Sequence, residues 1–277
     1  SSERITPICR YFGRCGGCAL QHMESRPYLA WKRELVAQAF RLRGIEAAVE
    51  DVRPVPPGSR RRTTLALQRT SRGAALGYHG ARSRDLVPVE SCPVVTPRID
   101  ASLAKLRSML APLAGKRETR VTVTDTDRGL DIAIEGARAT TSVITRLASD
   151  ATAIRIARVT IDGEPAVQLA EPEVTISGVR VRVPPGGFLQ ASIEAETILS
   201  ELVVRAIAEA AHVADLFAGI GTFTFALAKQ AEVDAYEQDE AALAAMVGAH
   251  RKATGLKPVR AQLRDLFRAP LSGRELR

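Results

Sequence analysis

The sequence of 277 residues contains no apolar run that could cross a membrane, which needs roughly 18 or more residues. Its N-terminal end also lacks the charged and then apolar pattern of a secretory signal. These absences predict a cytoplasmic protein without a membrane partner. The chain opens at Ser1 rather than at a methionine, which indicates a cut or processed end.

Aromatic residues are few, at 4% of the chain, whereas hydrophobic residues make up 45% and charged residues 25%. The latter two fractions are ordinary for globular proteins and exclude wholesale disorder or a fibrous architecture. The length allows one large domain or two modest ones, with enough residues to bury a sizeable core.

An excess of acidic charge is also absent, because the net charge is +8. Residues 1–92 contain 16 Lys and Arg against 8 Asp and Glu, whereas residues 93–277 contain 23 of each class. Arg supplies nearly all of this excess, and its planar guanidinium suits bidentate contacts with phosphate. A solvated basic surface is the alternative, but the asymmetry favours a nucleic acid partner. The candidate contacts are Arg60, Arg61, Arg62, Arg82 and Arg84.

Cysteine is rare, and its positions form a pattern. The residues are Cys9, Cys15, Cys18 and Cys92, with three of them on one glycine-rich loop and the fourth after a gap of 73 residues. Such thiolate sets hold an iron–sulfur cluster or zinc. Structural zinc sites commonly pair two C-x2-C knuckles, whereas this chain has one, which favours a cluster. A reducing cytoplasm argues against disulfides, and the close spacing argues against four unrelated thiols.

Hydrophobic periodicity and turn residues predict a mixture of helices and strands. The predicted helices run from Pro27 to just before Gly44 and over 98–114, 139–150, 193–207, 223–229 and 240–253. The predicted strands are 63–68, 74–78, 86–89, 121–124, 130–134, 154–161, 166–169, 174–176, 179–183, 213–217 and 232–236. The first helix is expected to pack beside the cysteine loop. From about residue 192 the pattern becomes a β-α-β unit with a buried first strand.

Glycines follow that buried strand directly, at Gly219 and Gly221, and the next strand ends at Glu237. Glycines at such a turn allow a ligand to approach the backbone, and an acid about 20 residues further on accepts hydrogen bonds from ribose hydroxyls. Thr224 stands where the dinucleotide fingerprint has its third glycine, so a pyrophosphate is not favoured. The pattern that starts at Asp215 instead suits S-adenosylmethionine. Glycines needed only for β-α-β packing are the competing explanation.

Several motifs, in order along nearly the whole chain, resemble those of the S-adenosylmethionine-dependent RNA uracil-C5 methyltransferases. This family makes 5-methyluridine in 23S rRNA or tRNA. The motifs are Cys9-x5-Cys15-Gly16-Gly17-Cys18 with Gln21-His22, Arg60-Arg61-Arg62 leading through Gly77-Tyr78 to Cys92-Pro93, Gly187-Phe188-Leu189-Gln190, and Asp215 to Phe223.

The resemblance implies that the four cysteines bind a [4Fe-4S] cluster, as in the rRNA-type members. It implies an α/β fold in three parts. Residues 1–92 form an iron–sulfur and basic RNA-binding region, and residues 93–190 form a β-rich central region continuous with it. Residues 191–277 form an incomplete Rossmann-like domain for S-adenosylmethionine. RNA is the expected partner, and DNA is not.

The resemblance also implies cofactor contacts. Together with the glycine loop they are Gln190, Asp215, Phe217, Gly219, Gly221, Thr222, Glu237 and Asp265. Thr222 and Ser192 stand where many members have asparagine, and either can still form hydrogen bonds. Structural roles are open for three of the candidates: Gln190 as a helix cap, Glu237 as a solvated strand end, and Asp265 as the cap of a short helix at Leu266.

In the family, a cysteine thiolate adds to C6 of uracil, C5 accepts the methyl group, and a base removes the C5 proton. All four cysteines of this chain are assigned to the cluster. The Ser-Cys-Asn-Pro-like nucleophile motif and the family's general base do not appear, so no catalytic residue is assigned. The sequence therefore predicts an inactive fragment of an RNA uracil-C5 methyltransferase that acts on rRNA, with 23S rRNA favoured.

Three alternatives stay open. The chain could be a non-catalytic RNA-binding iron–sulfur protein, or part of a tRNA uridine-C5 methyltransferase. In the third, Cys92 is the nucleophile and the other three cysteines hold a metal. For the cluster itself, we expect a structural role that pins the N-terminal loop against the strand before Cys92.

Overall fold

The computed structural model describes residues 2–275 and has the predicted α/β composition. The helices are α1 (Ser25–Arg41), α2 (Pro97–Leu110), α3 (Thr141–Ala151), α4 (Ile193–Ala206), α5 (Thr224–Leu227) and α6 (Glu240–His250). The strands are β1 (Arg62–Thr70), β2 (Gly73–His79), β3 (Leu86–Pro88), β4 (Thr119–Thr126), β5 (Gly129–Glu135), β6 (Ile156–Ile161), β7 (Glu164–Gln168), β8 (Glu173–Ile176), β9 (Val179–Arg182), β10 (His212–Leu216), β11 (Glu232–Glu237) and β12 (Val259–Leu263). Across residues 2–275, no helix is long and apolar enough to span a bilayer.

A seven-stranded sheet in the order β3-β2-β1-β4-β5-β6-β7 forms the larger part of the molecule. Neighbouring strands are antiparallel except β5 and β6, which are parallel because α3 crosses between them. Helix α2 presents Ile99, Leu103 and Leu106 at helical spacing to the core, where all three side chains are fully buried. This sheet contains strands from both sides of residue 92.

A second core is built on the parallel sheet β10-β11-β12. The hairpin β8–β9 belongs to this core, since Val174, Ile176 and Val181 are buried together with Met246 of α6. Its turn places Ser177 and Gly178 at φ of +50° and +89°, the backbone that a two-residue hairpin of type I′ requires. The predicted β-α-β unit is confirmed by the parallel pairing of β10 with β11.

The structure differs from the sequence predictions in three places. The predicted helix over 223–229 is the single turn α5, and strand β12 was not predicted. Helix α1 is present, but it buries none of its residues, and Trp31, Leu35 and Phe40 are each more than one-third exposed. The expected packing of its apolar face beside the cysteine loop is therefore wrong.

Two buried ion pairs lie where the two cores meet. Arg158 of β6 binds Asp131 of β5 through two hydrogen bonds of 2.9 and 2.8 Å and donates a third, of 2.9 Å, to the carbonyl of Val183 beyond β9. Burial raises the pKa of Asp131, and the guanidinium opposes this rise. Arg61, directly before β1, binds Glu196 of α4 at 2.5 Å. These contacts tie the large sheet to the second core.

The Asp131–Arg158 pair gives a first prediction. Asp131→Ala leaves the Arg158 guanidinium buried without its partner, so we expect the free energy of unfolding to fall by about 3–5 kcal/mol in urea denaturation. Arg120→Ala, which removes an exposed ion pair with Glu135, should cost no more than about 1 kcal/mol. Equal costs for the two variants would show that the buried pair has no special role.

Candidate cofactor and cluster sites

A glycine-containing loop joins β10 to α5 and lies against the carboxyl end of β11. The backbone N–H of Gly219 donates a hydrogen bond of 2.8 Å to Glu237 Oε2. Glu237 Oε1 accepts from the backbone N–H groups of Gln238 and Asp239, at 2.8 and 2.9 Å. The Glu237 carboxylate therefore fixes the loop to the end of β11 and is not a freely solvated strand end.

The two loop glycines have different surroundings. Both have positive φ, +58° at Gly219 and +98° at Gly221. A Cβ at Gly221 would lie 2.5 Å from Cε2 of Phe225, whereas a Cβ at Gly219 would meet nothing within 4 Å. Gly221 thus serves the packing of Phe225, which is the structural explanation that the sequence left open. Gly219 keeps open space in front of the loop, as close approach of a ligand requires.

Asp215 lies on β10, directly before the loop, and its side chain is buried. It is 7% exposed and accepts a hydrogen bond of 2.6 Å from the hydroxyl of Thr224. Burial raises the pKa of the Asp215 carboxyl. Asp215 therefore stabilises the loop through Thr224. Thr222, which lies in the loop itself, is half-buried.

Two exposed aromatic rings stand beside this loop. Phe217 and Phe267 have ring centroids 5.3 Å apart and are 54% and 81% exposed. Asp265 Oδ1 accepts from the backbone N–H groups of Phe267 and Arg268, at 3.0 and 3.2 Å, and so caps a turn at Leu266 rather than the short helix that the sequence allowed. Phe267 was missed as a candidate because it follows β12, the strand that the sequence did not reveal.

Gln190 lies in the segment before α4 and is tied to the large sheet. Its carbonyl accepts a hydrogen bond of 3.1 Å from Arg61 Nε. The cap of α4 is Ser192, whose hydroxyl accepts from the N–H of Ala195 at 3.1 Å. Gln190 is therefore not the helix cap, and a contact between its side chain and a cofactor stays a prediction.

The four cysteines line one cavity of about 330 Å³. They are half-buried free thiols at Cys9, Cys15, Cys18 and Cys92. Strand pairing brings them together, because Gly16 N–H donates to the carbonyl of His79 at 2.8 Å, and Cys15 pairs with Gly80 beyond β2. The N–H of Cys92 is held by Asp100 Oδ1 of α2 at 2.6 Å. Burial raises the pKa of the Cys18 thiol, a hydrogen bond with the Gln21 side chain opposes this rise, and the other three cysteines add to it.

The wall of this cavity contains an unsatisfied donor. Arg62 Nε is buried and has no hydrogen-bond partner. Burial lowers the pKa of the Arg62 guanidinium and raises the pKa of the Tyr78 hydroxyl, which also lines the cavity. Within the part of the chain that the structure describes, no three His, Cys, Asp or Glu side chains form a group that could hold a metal ion.

The arginines predicted to contact nucleic acid divide into two groups. Arg60, Arg82 and Arg84 are exposed. Arg61 is only 2% exposed and is bound to Glu196, so its assignment to a nucleic acid surface was wrong. Arg62 is half-buried and donates to the carbonyl of Gly186 at 3.1 Å. No local signal distinguishes these two arginines, since their partners lie more than 120 residues away.

The parallel β-α-β unit, the open glycine loop and the acid at the end of β11 place the chain in the class of Rossmann-like proteins built to bind a nucleoside cofactor.

No protein-family model matches the chain. Curated proteins, in contrast, are clearly similar to it. The chain is 40% identical over its whole length to an uncharacterized RNA methyltransferase of Agrobacterium fabrum, and 42% identical to one of Rhizobium meliloti. It spans 69% of each relative, and it belongs to this RNA methyltransferase family.

Two further similarities are more specific. The 23S rRNA (uracil(1939)-C(5))-methyltransferase RlmD of Cronobacter sakazakii is 33% identical over 84% of this chain and 55% of its own length. Among solved structures, the Pyrococcus abyssi tRNA (uracil-54, C5)-methyltransferase in complex with S-adenosyl-L-homocysteine superposes with a TM-score of 0.71. That match covers 95% of this chain and 66% of the other, at 17% identity, and shows a shared fold.

Proposed function

We propose that this chain supplies the cofactor-binding and RNA-binding parts of an S-adenosylmethionine-dependent RNA uracil-C5 methyltransferase that acts on rRNA, with 23S rRNA favoured. The observation that carries the proposal is the open glycine loop fixed by Glu237 in a member of an RNA methyltransferase family. The similarity to RlmD supports uracil in 23S rRNA as the target.

The residues around the glycine loop fit S-adenosylmethionine, which supplies the methyl group when bound. Gly219 leaves room for the cofactor. A carboxylate has about four acceptor positions, and Glu237 uses three of them for backbone N–H groups, so about one is left for a ribose hydroxyl. The exposed rings of Phe217 and Phe267 offer apolar surface for the adenine. Contacts from Gln190, Thr222 and Asp265 belong to the same proposal.

No residue of this chain is assigned to the attack on uracil or to removal of the C5 proton. That reaction needs a cysteine nucleophile, and Cys92 lines the same cavity as the other three cysteines. Its position favours ligation over attack. The expectation that the chain is a fragment of the enzyme stays a prediction.

The cysteine cavity fits a [4Fe-4S] cluster better than a single ion. A cluster separates its ligating sulfurs by its own width, so four cysteines around a cavity suit it, although no described group is arranged for one metal ion. The Nε–H group of Arg62, which is buried without a partner, is placed to meet an acceptor on an anionic group. We assign the cluster a structural role, joining the N-terminal loop to the segment after β3.

The cofactor site is tested by binding S-adenosylmethionine to the chain in a calorimeter. Glu237→Gln removes the negative charge that holds the glycine loop and faces the ribose, so we expect roughly tenfold weaker binding, about 1.4 kcal/mol. The control is Glu232→Gln, at the other end of β11, where the carboxylate pairs with Arg260. Equal affinities for wild type and the Glu237 variant would contradict the assignment.

The RNA surface is tested by titrating a 23S rRNA fragment into the chain at several salt concentrations. The double variant Arg60→Ala, Arg84→Ala should bind more weakly, and its slope of log affinity against log salt should fall by about 1.8, or about 0.9 for each lost phosphate contact. Arg138→Ala, an exposed arginine of the neutral part of the chain, is the control. If tRNA competes as well as the rRNA fragment does, the preference for rRNA is wrong.

The cluster is tested by anaerobic purification followed by iron and sulfide analysis. Cys92→Ser should lose the iron and the visible absorbance and should lower the melting temperature. An intact cluster in this variant would instead favour Cys92 as a nucleophile, and zinc in place of iron would contradict the cluster altogether. Ser91→Ala, beside the ligand in the same cavity wall, serves as the control.

A further inference from the structure

Two tyrosines line the cysteine cavity, and their hydroxyl groups have different partners. The Tyr78 hydroxyl, on β2, lies 2.8 Å from Oγ1 of Thr63 and 4.0 Å from Sγ of Cys92. The Tyr11 hydroxyl lies 2.7 Å from Arg10 Nη2 and 3.1 Å from the N–H of Glu90. Of the two, Tyr78 alone has a cysteine sulfur within hydrogen-bond range.

The direction of the hydrogen bonds follows from counting protons. Tyr78 has one proton to donate, and its neighbours are a hydroxyl and a sulfur. Thr63 is 8% exposed, so its own proton needs a nearby acceptor, and the Tyr78 oxygen provides one. If Thr63 donates to Tyr78, the Tyr78 proton is free to point at Cys92. Both donors are then satisfied in a chain from Thr63 through Tyr78 to the sulfur.

We infer that Tyr78 is a positioning residue for the proposed cluster: its hydroxyl donates a hydrogen bond to the Cys92 sulfur and thereby raises the cluster's reduction potential. The inference rests on the proposed [4Fe-4S] cluster. Tyr78 and Thr63 bind no iron themselves.

The direction in which the hydrogen bond shifts the reduction potential follows from the charge of the cluster. Reducing the cluster by one electron, here supplied by dithionite, makes its sulfurs more negative and breaks no bond. A donor hydrogen bond stabilises the more negative state, because hydrogen bonds to charged acceptors are stronger than those to neutral ones. Removing the donor must therefore shift the reduction potential to a more negative value.

The experiment is a dithionite titration of the purified holoprotein, followed by visible absorbance and by electron paramagnetic resonance. Tyr78→Phe removes the hydroxyl and keeps the ring, so the midpoint potential should shift to a more negative value by more than the spread of replicate titrations. The matched control is Tyr11→Phe, which deletes a hydroxyl from the same cavity wall without removing a bond to sulfur.

A second variant covers the case in which Tyr78→Phe does not retain its cluster. Thr63→Val keeps the branched shape of the side chain and leaves Tyr78 in place, but removes the donor that polarises its hydroxyl. We expect a smaller shift in the same direction.

The outcomes separate this inference from the proposed function. A midpoint potential that is unchanged in Tyr78→Phe, or that shifts equally in Tyr11→Phe, overturns the role of Tyr78 while the cluster stands. With no cluster in Tyr78→Phe, an unchanged potential in Thr63→Val overturns it. A wild-type protein that holds no iron after anaerobic purification overturns the cluster, and the inference with it.

Discussion

A guanidinium group that is removed from water must find an acid and further acceptors for its N–H groups, and two arginines meet this constraint where the two cores join. Arg61 binds Glu196 of α4 and donates to the carbonyl of Gln190. Arg158 binds Asp131 and donates to the carbonyl of Val183. The Arg61 bonds and the bond from Arg158 to Val183 cross from the large sheet to segments of the second core, whereas Asp131 and Arg158 both lie in the large sheet. The crossing bonds fix the segment before α4 and the end of β9, and so position the glycine-loop unit relative to the cysteine cavity.

Much of the fold follows from local chemistry. The turns at Asp162-Gly163 and Ser177-Gly178 both take positive φ at two successive residues, and the sequence marks them clearly. Strand β12 carries no such signal, because three of its five residues are exposed and it is held by parallel pairing with β11. Helix α1 was predicted from its periodicity, but periodicity does not say whether a partner covers the apolar face.

The candidate sites also contain features that follow from local sequence and features that depend on contacts between distant residues. The glycine loop and Glu237 are close in sequence, so a known β-α-β pattern could predict their contact. The partner of Arg61 is 135 residues away, so no residue near Arg61 in the sequence distinguishes it from Arg60. Similarly, the cysteine spacing predicts that the thiols act together, whereas the approach of Tyr78 to Cys92 depends on the register of β2 with β1 and β3.

The backbone of Phe217 has a consequence for the balance between stability and binding. Its φ of +60° lies in the left-handed region, where a side chain costs roughly 1–2 kcal/mol and a glycine would cost almost nothing. The chain nevertheless has a large ring there, more than half exposed and packed only partly against Phe267. The fold thus gives up stability at the mouth of the loop to hold an exposed aromatic surface in place. For the cofactor site proposed above, this would lower the entropy cost of ordering that surface during binding.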